Sequence, residues 1–336
     1  MAWVLVAAAG LCACAERDAG PLRVDRVLGE GGTQPGQFSY PRAICVAGPW
    51  LAVVDKSARI QLLDPETGEA AHVWRTPESE LGKPTGLGFG PAPEGSADPG
   101  VPALYVADTH YHRVLVYRLP EIAGPSDRAP ELLASFGSLG REGGQFIYLT
   151  DVAVLTSSDG ARVDRIFVGE YGGNDRVSIF DGSMNFVRTF GRFGTKAEAA
   201  VGEVVFDRPQ AVEVDQRSRR VLVGDAANHR VGMFSEDGDL IAWYEGGEER
   251  LNYPYGLAPI GRDRWLISEY GGGRIREVEL DGSGTRRIMG EPGRGPGQLA
   301  TPWGVAAFGG ELFVLDSGNN RVLAVDAPGM RLGAGR

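Results

Sequence analysis

The amino-acid sequence predicts a single all-β domain in which one structural unit is repeated around a ring. Three observations support this fold class: a hairpin pattern recurs six times, glycine contributes 50 of 336 residues, and an acidic residue recurs at positions 55, 108, 170, 225, 269 and 316. Glycine at this abundance, without a collagen-like triplet period, is typical of many short strands joined by turns. The spacing suits one four-stranded sheet for each repeat, so the sequence predicts a six-bladed β-propeller with antiparallel blades.

Each repeated hairpin begins with an alternating apolar strand that ends in an acidic residue. A short turn rich in glycine and asparagine follows, and an arginine then opens a second alternating strand. These turn residues tolerate positive φ, so the pattern predicts a β-hairpin. The acid and arginine of the six hairpins are Asp55 and Arg59, Asp108 and Arg113, Glu170 and Arg176, Asp225 and Arg230, Glu269 and Arg274, and Asp316 and Arg321. A position filled alike in every blade serves the repeat, so we expect structural ion pairs here and not six catalytic pairs.

A second shared element precedes the hairpins, as in Gly36-Gln-Phe-Ser-Tyr-Pro41, and an acidic turn with an apolar outer strand follows them, as in Phe180-Asp181-Gly182. The combined pattern is Gly-x-Phe-x-x-Pro, then Val-x-Asp-x-x-Asn-x-Arg-Val, then Asp-Gly…Phe-Gly. It resembles the NHL-repeat family over residues 24 to about 328. The resemblance implies a propeller fold and, by analogy with the family, use as an interaction platform.

The two ends of the repeat array predict how the ring closes. The sixth repeat ends at Val322-Leu-Ala-Val325 without a fourth strand, whereas residues 22–29 form an unassigned strand before the first repeat. Pairing these segments would complete the last blade and remove an exposed sheet edge. We therefore expect the propeller to span residues 22–330, followed by a tail over residues 331–336.

The N-terminus resembles a bacterial lipoprotein signal. Residues 3–11 are almost wholly apolar, and the tetrapeptide Leu11-Cys-Ala-Cys14 that follows resembles a lipobox. The resemblance implies a signal peptide over residues 1–13, a lipid on Cys14 and a tether over residues 14–21. The apolar run is too short to span a bilayer. We expect an extracytoplasmic lipoprotein held to the membrane by its lipid alone, in the outer membrane or on the periplasmic face if the source is Gram-negative.

Cysteine content and net charge indicate whether disulfides form and which class of partner is disfavoured. Cys45 is isolated in an apolar strand, so we expect no structural disulfide. The net charge of −10 and the pI near 5.1 disfavour nucleic-acid binding, which depends on neutralising phosphates. The domain is expected to be monomeric.

A ligand site is predicted where the blades differ from each other. Inner strands run along the central channel, so the residue that follows the repeat proline, or the leucine that replaces it in the third repeat, should lie near one mouth. These residues are Arg42, Thr85, Thr150, Gln210, Tyr255 and Trp303. Asp151 joins them because the matching position holds alanine or glycine in the other repeats. A cation, two hydroxyls, an amide and two aromatics could form a polar site with stacking walls, or they could simply fill the channel.

Two turns carry an aromatic residue at their tip. Tyr171 and Tyr270 each precede a pair of glycines, which suits partner recognition on a rigid scaffold or packing against adjacent loops. The segment Gly86-Leu-Gly-Phe-Gly90 resembles part of a dinucleotide loop, but no helical pattern follows it, so a turn is expected there.

Two classes of function remain open. The first is a non-enzymatic binding scaffold that engages a protein, peptide or glycan through one face, with no catalytic residue, metal or cofactor assigned. The alternative is a metal-dependent propeller enzyme, of the lactonase or amidating-lyase type, with calcium or zinc in the channel. His110-x-His112 could chelate zinc weakly, but no third ligand is apparent. The predicted channel ring carries one acid, Asp151, and no histidine, which counts against the enzyme, although a two-residue shift in the inner-strand alignment would bring Glu213 or Asp215 inward. The sequence favours binding without excluding catalysis.

Overall fold

The structure, a computed structural model, describes residues 16–18, 20–120, 128–261, 263–280 and 284–325. It confirms the all-β prediction: six sheets, each with four antiparallel strands, are arranged around a central channel. The two helical segments of the described residues are single 3-10 turns, Thr109–Tyr111 and Ser317–Asn319. No helix in these ranges has the length and apolar character needed to cross a bilayer. The predicted signal peptide, the lipid site at Cys14 and the tail over 331–336 fall outside the described residues.

Strand bounds follow the six repeats. Before the first blade lie β1 (Glu16–Asp18), β2 (Val24–Leu28), β3 (Glu30–Gly31) and β4 (Gln37–Phe38). Blade 1 contains β5 (Pro41–Ala47), β6 (Trp50–Asp55), β7 (Arg59–Leu63) and β8 (Ala70–Arg75). Blade 2 contains β9 (Gly86–Pro91), β10 (Pro102–Asp108), β11 (Arg113–Arg118) and β12 (Leu132–Phe136). Blade 3 contains β13 (Tyr148–Thr156), β14 (Val163–Tyr171), β15 (Arg176–Asp181) and β16 (Phe186–Phe190).

The remaining blades follow the same order from the channel outward. Blade 4 contains β17 (Pro209–Asp215), β18 (Arg220–Asp225), β19 (Arg230–Phe234) and β20 (Leu240–Tyr244). Blade 5 contains β21 (Pro254–Gly261), β22 (Arg264–Glu269), β23 (Arg274–Glu279) and β24 (Gly284–Met289). Blade 6 contains β25 (Pro302–Phe308), β26 (Glu311–Asp316) and β27 (Arg321–Val325), with β2 as its outer strand.

The ring closes as the sequence predicts. β2 pairs antiparallel with β27, with Val24 opposite Val325 and Leu28 opposite Val322, so an N-terminal strand completes the last blade. Within the segment expected to be a tether, β1 pairs in parallel with β24 and extends blade 5 at its outer edge.

The hydrophobic core consists of layers between neighbouring blades. Each apolar cluster draws its buried side chains from two adjacent sheets, as Phe167 of blade 3 and Val223 of blade 4 share one cluster. A blade is therefore covered on both faces, which explains why a middle strand such as β26 is buried along almost its whole length. Burial of apolar area between the blades is the main force that holds the ring together.

Each repeat acid forms an ion pair with the arginine of its own hairpin. The nitrogen–oxygen distances lie between 2.6 and 3.1 Å, and the acid side chains are almost fully buried. In five blades the acid also accepts a hydrogen bond from the loop before the inner strand, as Asp316 does from the N–H of Ala300 at 2.7 Å. Arg321 donates to the carbonyl of Gln298 in the same loop at 2.9 Å. The pair thus fixes the entry of each inner strand.

Blade 2 departs from this pattern. The Oδ1 atom of Asp108 has no hydrogen-bond partner among the described residues, whereas its Oδ2 accepts from Arg113 at 3.0 Å. Burial raises the pKa of Asp108 to about 6, although the arginine acts in the opposite direction.

The glycine-rich segment of blade 2 is an inner strand, so the expectation of a turn there was wrong. A Cβ atom on Gly86 would lie 2.4 Å from the Cα of Asp151, and one on Gly88 would lie 2.5 Å from the carbonyl oxygen of Val152. The glycines therefore allow β9 to approach the neighbouring inner strand β13 more closely than side chains would permit.

Candidate binding site in the central channel

The two faces of the propeller differ in the loops they carry. The hairpin face, as we call it, bears the turns between the second and third strands, at residues 56–58, 109–112, 172–175, 226–229, 270–273 and 317–320. The connections between blades also run on this face, and the inner strands begin there. The far face bears the turns between the first and second strands.

A repeated backbone feature marks the start of the inner strands, near the channel mouth on the hairpin face. In five blades a bulge interrupts the pairing between the inner strand and the second strand, close to the start of the inner strand. The bulged residues are Arg42, Thr150, Gln210, Tyr255 and Trp303. A bulge leaves one residue outside the hydrogen-bond ladder and re-aims its side chain. Thr85 occupies the corresponding place in blade 2, directly before β9.

The residue before each repeat proline adds to this feature. Tyr40, Lys83, Arg208, Tyr253 and Thr301 all have positive φ, between 49° and 67°. Such a conformation is uncommon for residues with side chains and is disfavoured before proline. Backbone strain of this kind is concentrated at functional sites in many proteins. Here it occurs five times around one channel mouth.

Six of the seven predicted ligand residues line one narrow cavity of about 40 Å³ at this mouth. They are Arg42, Thr85, Asp151, Gln210, Tyr255 and Trp303. The seventh, Thr150, is fully buried between blades 3 and 4, where its hydroxyl donates to the carbonyl of Pro209 at 2.6 Å. The Thr85 hydroxyl makes the equivalent link from blade 2 to the carbonyl of Leu149 at 3.0 Å.

Arg42 is a half-buried cation of this cavity, and it has no anionic partner among the described residues. Its guanidinium lies over the Trp303 ring at 5.3 Å from the centroid, and its Nε atom is buried without a hydrogen-bond partner in the described ranges. No carboxylate of the described residues lies within ion-pair distance of it. Burial lowers the pKa of Arg42, but an arginine remains charged at neutral pH. Its unused N–H groups can therefore bind an anionic group of a ligand.

Aromatic rings form the wall beside Arg42. The rings of Tyr255 and Tyr270 stack at 4.3 Å, and Trp303 meets both of them edge-on at 5.0 and 5.7 Å. Tyr40 completes the wall, because its hydroxyl lies 3.1 Å from that of Tyr270. Tyr270, predicted as a partner-binding tip or a packing residue, thus packs into this wall.

A second arginine lies on the other side of the wall. The Arg208 guanidinium lies 5.0 Å from the centroid of Tyr171, and its Nη1 donates to the Tyr255 hydroxyl at 3.3 Å. No ion pair of Arg208 occurs in the described part of the chain. Close by, the Nδ1 atom of His110 is buried without a partner, and burial, with Lys83 and Arg42, lowers the pKa of His110. Two arginines thus lie at this mouth, although the chain as a whole is acidic.

Asp151 links three inner strands at the base of this cavity. Its Oδ1 accepts from the N–H of Val152 at 2.9 Å and its Oδ2 from the N–H of Val212 at 3.1 Å, and the Leu87 N–H is a further donor. Val152 lies in blade 3, Val212 in blade 4 and Leu87 in blade 2. Burial raises the pKa of Asp151 well above its ordinary value. The contacts give Asp151 a structural role, and a role in ligand binding remains a prediction.

Toward the far face the channel widens into a cavity of about 500 Å³, which we call the far funnel. Its walls are mainly apolar, and Glu213 borders both the far funnel and the narrow cavity. The Oε1 atom of Glu213 accepts from the N–H of Val214 at 2.9 Å, and burial raises the pKa of Glu213 to about 7. Cys45, a free thiol, lines the funnel beside it, and burial raises its pKa.

A shifted alignment of the inner strands would bring Glu213 or Asp215 into the channel. In the structure these two acids lie in different places. Glu213 faces the channel, whereas Asp215 accepts from the N–H of Arg217 at 2.9 Å and from the Ser218 hydroxyl at 2.7 Å in a turn on the far face. Among the described residues, no three side chains of His, Cys, Asp or Glu converge on a common point where a metal ion could be held.

Comparisons with known proteins agree with this architecture. The NHL repeat family matches residues 299–324, which lie in blade 6. The chain is a six-bladed β-propeller that carries an NHL repeat. No curated protein matches the chain. The solved structures with the same overall arrangement include the following three.

The first two of these structures are lyases. Virginiamycin B lyase from Staphylococcus aureus is 10% identical, with a TM-score of 0.53 over 91% of this chain and 98% of that chain. A streptogramin B lyase is 12% identical, with a TM-score of 0.55 over 90% and 96%. A protein of unknown function from Bacteroides thetaiotaomicron is 13% identical, with a TM-score of 0.63 over 90% and 76%. At such low identity these similarities show the fold of this NHL-repeat propeller and nothing of its activity.

Proposed function

We propose that this propeller is a binding protein that engages an acidic peptide segment of a partner at the channel mouth of its hairpin face. The observation that carries the proposal is Arg42, a half-buried cation whose Nε has no partner and which no carboxylate of the described residues neutralises. An arginine in a partly desolvated, aromatic-walled position favours a carboxylate ligand. The cavity admits only a small end group, so the rest of the peptide would lie across the surrounding loops.

Those surrounding loops offer apolar surface to a partner. Leu81, Leu139, Phe193, Val201 and Tyr253 lie in the connections between blades, and each side chain is at least 38% exposed. Exposed apolar residues around a charged centre are typical of protein-binding surfaces. The surface therefore favours a polypeptide partner over a glycan or a free small anion.

A bead-displayed library of random short peptides, selected on the immobilised full chain, tests the proposal. We expect selection of Asp, Glu or a free C-terminus, and about 10- to 100-fold weaker binding by Arg42→Gln, since a hydrogen bond to a charged group contributes about 1.5–3 kcal/mol. Arg162→Gln is the matched control, because Arg162 is exposed on the far face. Selection of neutral peptides, or equal binding by the Arg42 variant, would contradict the proposal.

A metal-dependent enzyme is the competing function. The possible metal ligands in the channel, among the described residues, do not fit it. Both oxygens of Asp151 already accept hydrogen bonds from backbone N–H groups. Among the described residues, Glu213 belongs to no group of three side chains that could hold a metal ion. The likeness to two lyases concerns the fold only. Elemental analysis of protein purified without chelator provides the test: stoichiometric calcium or zinc would favour the enzyme.

We further propose that binding occurs outside the cytoplasm, on a propeller tethered by a lipid at Cys14. The support is the lipobox-like Leu11-Cys-Ala-Cys14 after an apolar run. Metabolic labelling with radioactive palmitate should mark the wild type and Cys12→Ser but not Cys14→Ser. Labelling of the Cys14 variant at the wild-type level would refute the anchor.

A further inference from the structure

The far funnel is a separate chamber with a chemistry unlike that of the channel mouth. Its volume of about 500 Å³ lies within the range of small-molecule sites, whereas the cavity at the mouth measures about 40 Å³. Apolar side chains from several blades form its walls, including Leu87, Phe89, Val154, Leu257 and Phe308. An apolar ligand of moderate size would bury most of its surface there.

The floor of this chamber carries an uncompensated acid. Glu213 uses one carboxyl oxygen to accept the N–H of Val214, and no lysine or arginine of the described residues lies within ion-pair distance of either oxygen. The six repeat acids, in contrast, each have an arginine partner. Burying a carboxyl group without a cation is costly, so a ligand that supplies the cation would gain from the contact.

We propose that the far funnel binds an apolar organic amine, with its ammonium group on the Glu213 carboxylate and its hydrocarbon body against the apolar walls. Charge complementarity selects this class of ligand. Asp151 on β13 and Cys45 on β5 are the other titratable groups that face Glu213, and neither brings positive charge. Arg42 lies in the narrow cavity on the hairpin-face side, which Glu213 also borders. An anionic ligand in the far funnel would meet the Glu213 carboxylate and be repelled.

Three probes with the same hydrocarbon chain separate the possible occupants: hexylamine, 1-hexanol and hexanoate, each titrated into the full chain by calorimetry at about pH 8. We expect hexylamine to bind about tenfold more tightly than 1-hexanol, because only the amine gains a charge-assisted contact, and hexanoate to bind most weakly. Equal affinities for the three probes, tightest binding of hexanoate, or no heat from hexylamine would each overturn the proposal.

Glu213→Gln tests the residue itself. The variant keeps the side-chain shape and an oxygen for the Val214 N–H, and we expect it to bind hexylamine and 1-hexanol with nearly the same affinity. Glu203→Gln is the matched control, because Glu203 pairs with Arg192 in the connection between blades 3 and 4 and does not line the far funnel, and it should retain the full preference for the amine. An unchanged preference in the Glu213 variant would refute the site, and the wild-type comparison stands even if that variant fails to fold.

The pH dependence gives a second readout. Burial holds the pKa of Glu213 at about 7, so the free carboxyl is largely protonated at about pH 6 and ionised at about pH 8. The ratio of amine to alcohol affinity should rise several-fold over this interval. A constant ratio would contradict the assignment. The proposed amine site does not depend on acidic-peptide binding at the hairpin face, because the preference for amine over alcohol is measured without any peptide.

Discussion

Replacing Glu213 by glutamine should stabilise the propeller at neutral and alkaline pH while changing its stability little at or below about pH 4.5. Burial raises the pKa of this carboxyl group from 4.5 to about 7. Between these two values the folded protein holds a proton that the unfolded chain has released. The free energy of unfolding therefore falls as the pH rises from about 4.5 to about 7, and it is level above that range. An ion-paired surface acid gives the opposite dependence.

The size of the effect follows from the pKa difference. A difference of about 2.5 pH units corresponds to ~3 kcal/mol, at about 1.36 kcal/mol for each unit. Because Glu213 borders an open channel, water screens part of this penalty, and ~1–3 kcal/mol is the expected range. Glutamine carries no proton that titrates, so the variant should escape this loss.

Urea unfolding followed by tryptophan fluorescence, at several values between about pH 4.5 and pH 8, measures the difference directly. The curves for the wild type and Glu213→Gln should coincide near pH 4.5 and separate as the pH rises, with the variant more stable. Asp151 is present in both proteins, and Glu203→Gln, which removes a surface ion pair, should show the same fall of stability with pH as the wild type. Parallel curves, or a variant that is less stable at pH 8, would refute the argument that Glu213 is buried without compensation.

Three further outcomes are expected. Gly88→Ala should lower the free energy of unfolding by ~1–3 kcal/mol in urea, because the new Cβ would lie 2.5 Å from a backbone oxygen of β13. Gly31→Ala should have little effect, and equal effects of the two substitutions would contradict the close approach of the strands. Asp316→Asn should lower the free energy of unfolding by ~2–4 kcal/mol, because it leaves Arg321 without its buried partner. Asp239→Asn, which breaks an exposed pair, should lower it by less than ~0.5 kcal/mol in the same assay. Trp303→Leu should weaken acidic-peptide binding about threefold to tenfold in a fluorescence-polarisation titration of the folded variant, and unchanged binding would exclude a role for the stacked ring.

Most of the fold could be predicted from the sequence because the same short-range pattern is repeated. One hairpin, such as that between Asp225 and Arg230, carries little information, but six copies in register determine the number of blades. The closing strand was predictable for the same reason, since residues 22–29 supply the element that the last repeat lacks. The inner strand at Gly86–Pro91 was misjudged as a turn because close packing between blades, which local sequence does not record, requires its glycines.

The site was only partly predictable. The residues after the repeat proline could be located because the repeat fixes their position along the inner strand. Arg208 and Tyr40 were missed because they precede the proline, in a left-handed conformation that sequence preferences argue against. A recurring large or charged residue before the proline was the available signal. The far funnel could not be foreseen, because its shape depends on how side chains from several blades leave space between them.

The bulge at the start of the inner strands has a consequence for how such proteins diverge. A bulged residue makes no ladder hydrogen bond, so its side chain can change without altering strand pairing. The arginine–carboxylate pairs that position the strands are formed by other side chains, in the hairpins. Four bulged residues line the common opening, and each is a site of variation from one blade: Arg42, Gln210, Tyr255 and Trp303. Single substitutions can alter ligand preference blade by blade, so related rings with the same architecture are free to acquire unrelated ligands.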